Sequence, residues 1–241
     1  MSRRMLGIAL ALATTAQAAV AAPPPPNVQF LNSSGVRGSP TYIADVGAYS
    51  GKFIPGGSAI NWYCVDFGNG IAPGQKFAAY ITGLTSSTFV QGQTRFGNSF
   101  ASSALALKAY QQASFLTAFF AVNPKAEWDD IHSAIWSIFD PSTPIVTFDP
   151  SHPLRGKGTQ YWVDFAANWY HTYDYSNVVI ITDIRAAGKG VCGHVSSICG
   201  FQEFVTGPPT VVPEPMSMTL LGTGLAGVFA AGRRRRKQNK V

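Results

Sequence analysis

The chain has 241 residues, 46% of them hydrophobic, and a formal charge of +6, a size that suits one sizeable domain or two small ones. The charge is not spread evenly: Arg3 and Arg4 lie at one end and six Lys and Arg fall within 233–240, which leaves ten basic and eleven acidic residues in 22–212. The body is therefore nearly neutral, and its composition excludes a nucleic-acid partner held by a basic surface.

Residues 1–21 have the three parts of a secretory signal. Arg3 and Arg4 form the positive start, 6–13 the apolar stretch, and Ala16-Gln17-Ala18 and Ala19-Val20-Ala21 offer two sites for signal peptidase. The prolines of 22–27 cannot continue a helix and predict an extended spacer.

The body, 28–206, begins as strands. Aromatic and branched residues at 42–49, 59–67 and 76–84 are separated by Gly56-Gly57, Gly68-Asn69-Gly70 and Pro73-Gly74. Helix signals follow: a first helix over 98–120 with Asn98 as its cap, and a second opened by Asn123-Pro124 and closed by Asp140-Pro141. A third is expected over 159–173. Strand character returns at 177–184 and 201–206, ahead of a short linker at 207–212. This order predicts an α+β domain, with a β-sheet or sandwich built from N- and C-terminal strands around an insertion of about three helices.

The three cysteines of an exported chain leave one over. Cys192 and Cys199 lie close together among glycines and are expected to form a disulfide in an oxidising compartment. A metal site of Cys192, His194 and Cys199 is the alternative, and it lacks a fourth ligand at zinc spacing. Cys64 is then alone. Strand alternation sets Tyr63, Val65 and Phe67 on one face, and Cys64, Trp62 and Asp66 on the other. No phosphate loop occurs, since Gly68-Asn69-Gly70 lacks both the spacing and the lysine, and no cofactor is called for.

Two resemblances follow. Pro213-Glu214-Pro215, an apolar segment at 216–232 and the cluster Arg233, Arg234, Arg235, Arg236 and Lys237 resemble the PEP-CTERM sorting signal of Gram-negative bacteria that make exopolysaccharide. The resemblance implies a sorting signal over 213–237, cut by an exosortase. It also implies an inner-membrane span at 216–232 with the body on the periplasmic side, then release to the cell surface or matrix.

Tyr63-Cys64-Val65, Ile131-His132-Ser133-Ala134-Ile135-Trp136 and Phe201-Gln202-Glu203-Phe204-Val205 together resemble the three ordered motifs of bacterial thioester domains, found in surface adhesins. The departure is Ile131-His132, where that family has Thr-Gln. The resemblance implies an intramolecular thioester between Cys64 and Gln202 that captures an amine or hydroxyl group on a surface or exopolysaccharide partner. This is a single-turnover linkage and not enzyme turnover. His132 is the candidate acid–base for joining thiol and amide, and it shares a helical stripe with Trp128 and Trp136. Trp62, Trp136 and Phe204 are the candidate screen against water. Two rivals are a non-covalent exopolysaccharide-binding protein with an inert buried Cys64, and a cysteine hydrolase using Cys64, His132 and Asp140.

Overall fold

The computed structural model describes residues 25–36, 45–143, 146, 157–192 and 199–211. The expected signal peptide, the sorting signal and its apolar segment 216–232 lie outside them. Among the described residues, no helix is long and apolar enough to cross a membrane.

Four strands come first: β1 (Asn27–Asn32), β2 (Tyr49–Ile54), β3 (Ile60–Cys64) and β4 (Lys76–Gly83). After the helices come β5 (Tyr173–Asp174), β6 (Val179–Asp183), β7 (Phe204–Thr206) and β8 (Thr210–Val211). Six of these close an antiparallel barrel in the order β1-β2-β3-β7-β6-β4. The mixed α and β content and the assembly from both ends of the chain agree with expectation. The sandwich does not. Because β1 pairs with β2 through Asn27↔Ile54 and also with β4 through Asn27↔Ala78, the sheet has no open edge at which to divide into two layers.

The expected spacer and linker both take part in the fold. Asn27 begins β1, and the Pro26 carbonyl accepts a hydrogen bond from the Ala79 N–H at 2.9 Å. At the other end β8 pairs with β5, Tyr173 opposite Val211.

The three helices are α1 (Ser103–Thr117), α2 (Trp128–Phe139) and α3 (Thr159–Trp169). Asn98 does not cap α1, because it sits in a short 3-10 turn at Gly97–Ser99; the cap is Ser102, whose Oγ accepts from the Leu105 N–H at 3.3 Å. Asp129 and Asp130 occupy the first turn of α2, where negative charge suits the helix dipole. α3 stops at Trp169, short of the expected 173, and continues only as a 3-10 turn at Tyr170–Thr172.

Alternation along the strands divides the buried side chains into two cores. Val28, Phe30, Tyr49, Trp62, Cys64, Phe77, Ile181 and Phe204 form the inner cluster, contributed by strands alone. Tyr63, Val65, Ile180 and Val205 face the other way and pack with the helices. The expected division of faces around Cys64 therefore holds. Gly51 on β2 makes room for the largest inner side chain, since a Cβ there would stand 2.4 Å from the Trp62 indole.

Candidate functional site

The pairing of β3 with β7 fixes where Cys64 stands relative to Gln202. Tyr63 lies opposite Val205 and Cys64 opposite Phe204. The ladder runs one step further, with the Val65 N–H donating to the Glu203 carbonyl at 3.0 Å. Gln202 is thus the diagonal neighbour of Cys64 on the adjoining strand, a relation that spans about 7–8 Å between Cα atoms and brings long side chains into contact. Glu203 and Val205 turn outward, so alternation puts Gln202 with Phe204 on the Cys64 side.

The side chains meet at one atom. The Asp66 carbonyl oxygen accepts from Cys64 Sγ at 3.1 Å and from Gln202 Nε2 at 3.5 Å. The sulfur in turn accepts from the Asp66 N–H at 3.3 Å. Cys64 is fully buried and is the free cysteine of the described residues, whereas Gln202 is half-buried. Burial raises the thiol well above its ordinary pKa, and the Asp66 charge adds to this. Hydrogen bonds from the Asp66 backbone and the Trp136 indole work in the opposite direction, as does Arg95. At neutral pH the site holds a neutral thiol beside a neutral amide.

His132 occupies a different place from that expected of an acid–base group. Its Nδ1 accepts from the Gly47 N–H at 3.0 Å, and its Nε2 lies 2.9 Å from the Cys64 carbonyl oxygen. A nitrogen that accepts from an N–H carries no proton, so the proton is on Nε2 and is donated to Cys64 O. Both ring nitrogens hold backbone, and neither is bonded to the sulfur. Complete burial lowers the His132 pKa to about 4, which keeps this tautomer neutral. Gly47 can approach because it has no side chain: its φ is +95°, and a Cβ would stand 2.5 Å from Trp128. His132 stacks on Trp136 with centroids 4.3 Å apart, and Trp136 in turn packs on Phe67 at 4.9 Å. Trp62 lies beneath, 5.2 Å from the Phe204 ring. Trp62 and Phe204 share the inner cluster with Cys64, and the Trp136 indole hydrogen-bonds to its sulfur.

A second group of residues was not anticipated. Arg95 is fully buried. Its Nε pairs with the Asp66 carboxylate at 2.8 Å, and its Nη2 donates to the carbonyls of Cys199 and Phe201, each at 2.7 Å. Glu203 accepts from the Arg95 N–H, the Thr182 hydroxyl and the Tyr110 hydroxyl, all at 2.6 Å. Burial raises the Glu203 carboxyl to about 7 despite these donors. Asn69 donates to both Asp66 oxygens, at 3.2 and 3.0 Å. One guanidinium thus ties the residue after Val65 to the two residues that flank Gly200. The Cys192–Cys199 disulfide forms as expected, with Cα atoms 5.9 Å apart, which leaves neither cysteine for the alternative metal site. In sequence Arg95 stands among Gln, Thr, Gly and Asn between Phe89 and Phe100, and no local signal marks this role.

Comparison with known proteins bears on the tail. Residues 211–236 match the PEP-CTERM protein-sorting motif. That match marks the chain as an exported protein processed by an exosortase. Neither a curated protein nor a solved structure matches the chain.

Proposed function

We propose that this PEP-CTERM protein displays a domain in which Cys64 and Gln202 condense to an internal thioester, and that the thioester then binds covalently to an amine or hydroxyl group of a surface or matrix partner. The observation that carries the reading is the convergence of Sγ and Nε2 on the Asp66 carbonyl oxygen.

In the condensation, sulfur bonds to the Gln202 carboxamide carbon, the C–N bond breaks, and the thiol proton leaves with the nitrogen as ammonia. Proximity supports such a step without an external catalyst, because fixed neighbours of this kind lower a barrier by about 7–11 kcal/mol. The product suits its surroundings, since a thioester carries no charge and its sulfur needs no solvation in the inner core. Trp62, Trp136 and Phe204 shield the bond from water, and the half-buried Gln202 leaves its acyl side open to a partner. His132 supports the reaction by position, holding the Cys64 carbonyl so that strand β3 keeps its register against β7. The partner's nucleophile attacks the acyl carbon, and the Cys64 thiolate leaves and takes up a proton.

A second reading has its own support. Complete burial and a raised thiol pKa also describe an inert cysteine in a body that binds exopolysaccharide without a covalent bond. Intact mass of the mature domain separates the two. The thioester reading expects a mass about 17 Da below that of the processed chain, absent in Cys64→Ala and in Gln202→Ala, with addition of a small primary amine to the wild type alone. An unmodified mass under all conditions, with Cys64 titrating as a free thiol after unfolding, would leave only the non-covalent reading.

A further inference from the structure

The outer side of α3 exposes two aromatic rings, Tyr161 and Trp169, with the half-buried Phe165 between them packed on Phe115 and Phe119. Tyr161, Phe165 and Trp169 follow one another at four-residue spacing, one above the other on one side of a helix. The Tyr161 and Phe165 centroids are 5.9 Å apart, and those of Phe165 and Trp169 6.5 Å. Trp169 is 53% exposed and Tyr161 41%. The cations beside the row belong to lysines: Lys157 stands 4.7 Å from the Tyr161 centroid, and Lys108 5.8 Å from that of Tyr170. The acidic residue of this helix, Asp164, is occupied by Gln160 at 2.9 Å. Rings with one wet edge, flanked by ammonium groups, are the chemistry of a headgroup layer, where Trp and Tyr concentrate and Lys meets anionic lipid.

The path of the chain brings that layer close. β8 runs antiparallel to β5, with Thr210 opposite Asp174 and Val211 opposite Tyr173, so at Val211 it heads toward the residues that precede Tyr173, the end of α3. The apolar segment begins at Met216. Five residues reach at most about 18 Å when fully extended. An inner-membrane segment so tethered keeps the Trp169 end of α3 within a short distance of the bilayer.

From these two observations we infer that α3 rests its exposed Tyr161 and Trp169 rings on the headgroup layer of the phospholipid membrane while the sorting tail is uncut. The body is then held down on the bilayer in one orientation, and cleavage of the tail frees this face. The inference rests on the tail and on α3, and stands or falls independently of any bond between Cys64 and Gln202.

Tryptophan fluorescence tests it. All five tryptophans lie in the body and none in the tail. Trp62, Trp136 and Trp162 are buried and Trp128 is half-buried, so Trp169 alone among them is strongly exposed. The full chain is reconstituted in vesicles of mixed zwitterionic and anionic phospholipid, with or without bromine placed near the headgroup. The wild type should lose the Trp169 component of its emission to the brominated lipid. Trp169→Phe, a conservative change at an exposed site, should show no such loss, and Tyr161→Ser, also at an exposed site, should reduce it in a chain that keeps Trp169. Equal quenching of wild type and Trp169→Phe, or none in either, would overturn the inference. So would protection of Trp169 by soluble polysaccharide with no response to brominated lipid, which would assign the row to a glycan.

Discussion

Two regions meet on the last strand of the barrel, one residue apart. On one side of β7, Phe204 and the nearby Gln202 face Cys64 in surroundings of aromatic rings and backbone hydrogen-bonding groups. On the other, Glu203 enters a buried cluster with Arg95, Tyr110 and Thr182. The first region holds a thiol and a carboxamide with few hydrogen bonds. The second has directional bonding and no nucleophile. Buried ionic networks of this kind contribute less to net stability than to fixing a single arrangement, because their attraction mostly offsets desolvation. The contrast suggests a division of labour, in which Arg95 sets the distance between the strands and the neutral side uses it.

Breaking the cluster should have the largest effect. Arg95→Met strands the Asp66 carboxylate and frees the carbonyls of Cys199 and Phe201, and removing one partner of a buried pair costs about 3–5 kcal/mol. The expected result is a matching drop in unfolding free energy in denaturant, with loss of the proposed Cys64–Gln202 condensation in whatever folded protein remains. A variant of unchanged stability would show that the cluster does not hold these strands.

The two regions also differ in how they respond to pH. His132 is held neutral, with a pKa of about 4 in the fold against an ordinary 6.5. The unfolded chain therefore binds the extra proton between those values, and stability falls as pH drops from about 6.5 to about 4, by about 3 kcal/mol in all. Glu203 acts in the opposite sense. Its pKa rises from 4.5 to about 7, so the folded state holds the extra proton and stability falls as pH climbs through that window. Melting temperature against pH should therefore vary little in the wild type across the overlap. His132→Gln should unmask the Glu203 slope. Glutamine offers one acceptor for the Gly47 N–H and one donor for the Cys64 carbonyl without titrating, so this variant should keep both bonds and the fold. His132→Phe leaves both backbone groups unpaired, at about 1–3 kcal/mol for each.

Much of this architecture was legible in the amino-acid order, and the residues show why. The second helix announced itself through Asn123-Pro124 and Asp140-Pro141, which are local signals. Cys64 and Gln202 stood out because an odd cysteine and a short motif are also local. Closure of the barrel was not legible, because it depends on β1 pairing with β4 across a gap of some fifty residues. Arg95 escaped for the same reason: its partners Asp66, Cys199, Phe201 and Glu203 lie far along the chain in both directions. His132 was placed on the correct helix face, but its tautomer depends on Gly47, which no sequence spacing links to it.

The smallest expected effect sharpens the comparison most, because it separates local geometry from general loss of stability. Ser102 caps α1 far from the reacting pair in sequence, and its Oγ accepts from the Leu105 N–H. Ser102→Ala removes that acceptor and should cost about 1 kcal/mol. Asn98→Ala should leave the cap intact, because Asn98 lies in the preceding turn against Gly188. If the condensation depends on the distance set by Arg95, Ser102→Ala should lower the melting temperature and still give the full ammonia loss. If it follows stability alone, the mass change should weaken in Ser102→Ala in proportion to the unfolded fraction. The two outcomes are read from one sample, by melting curve and by mass.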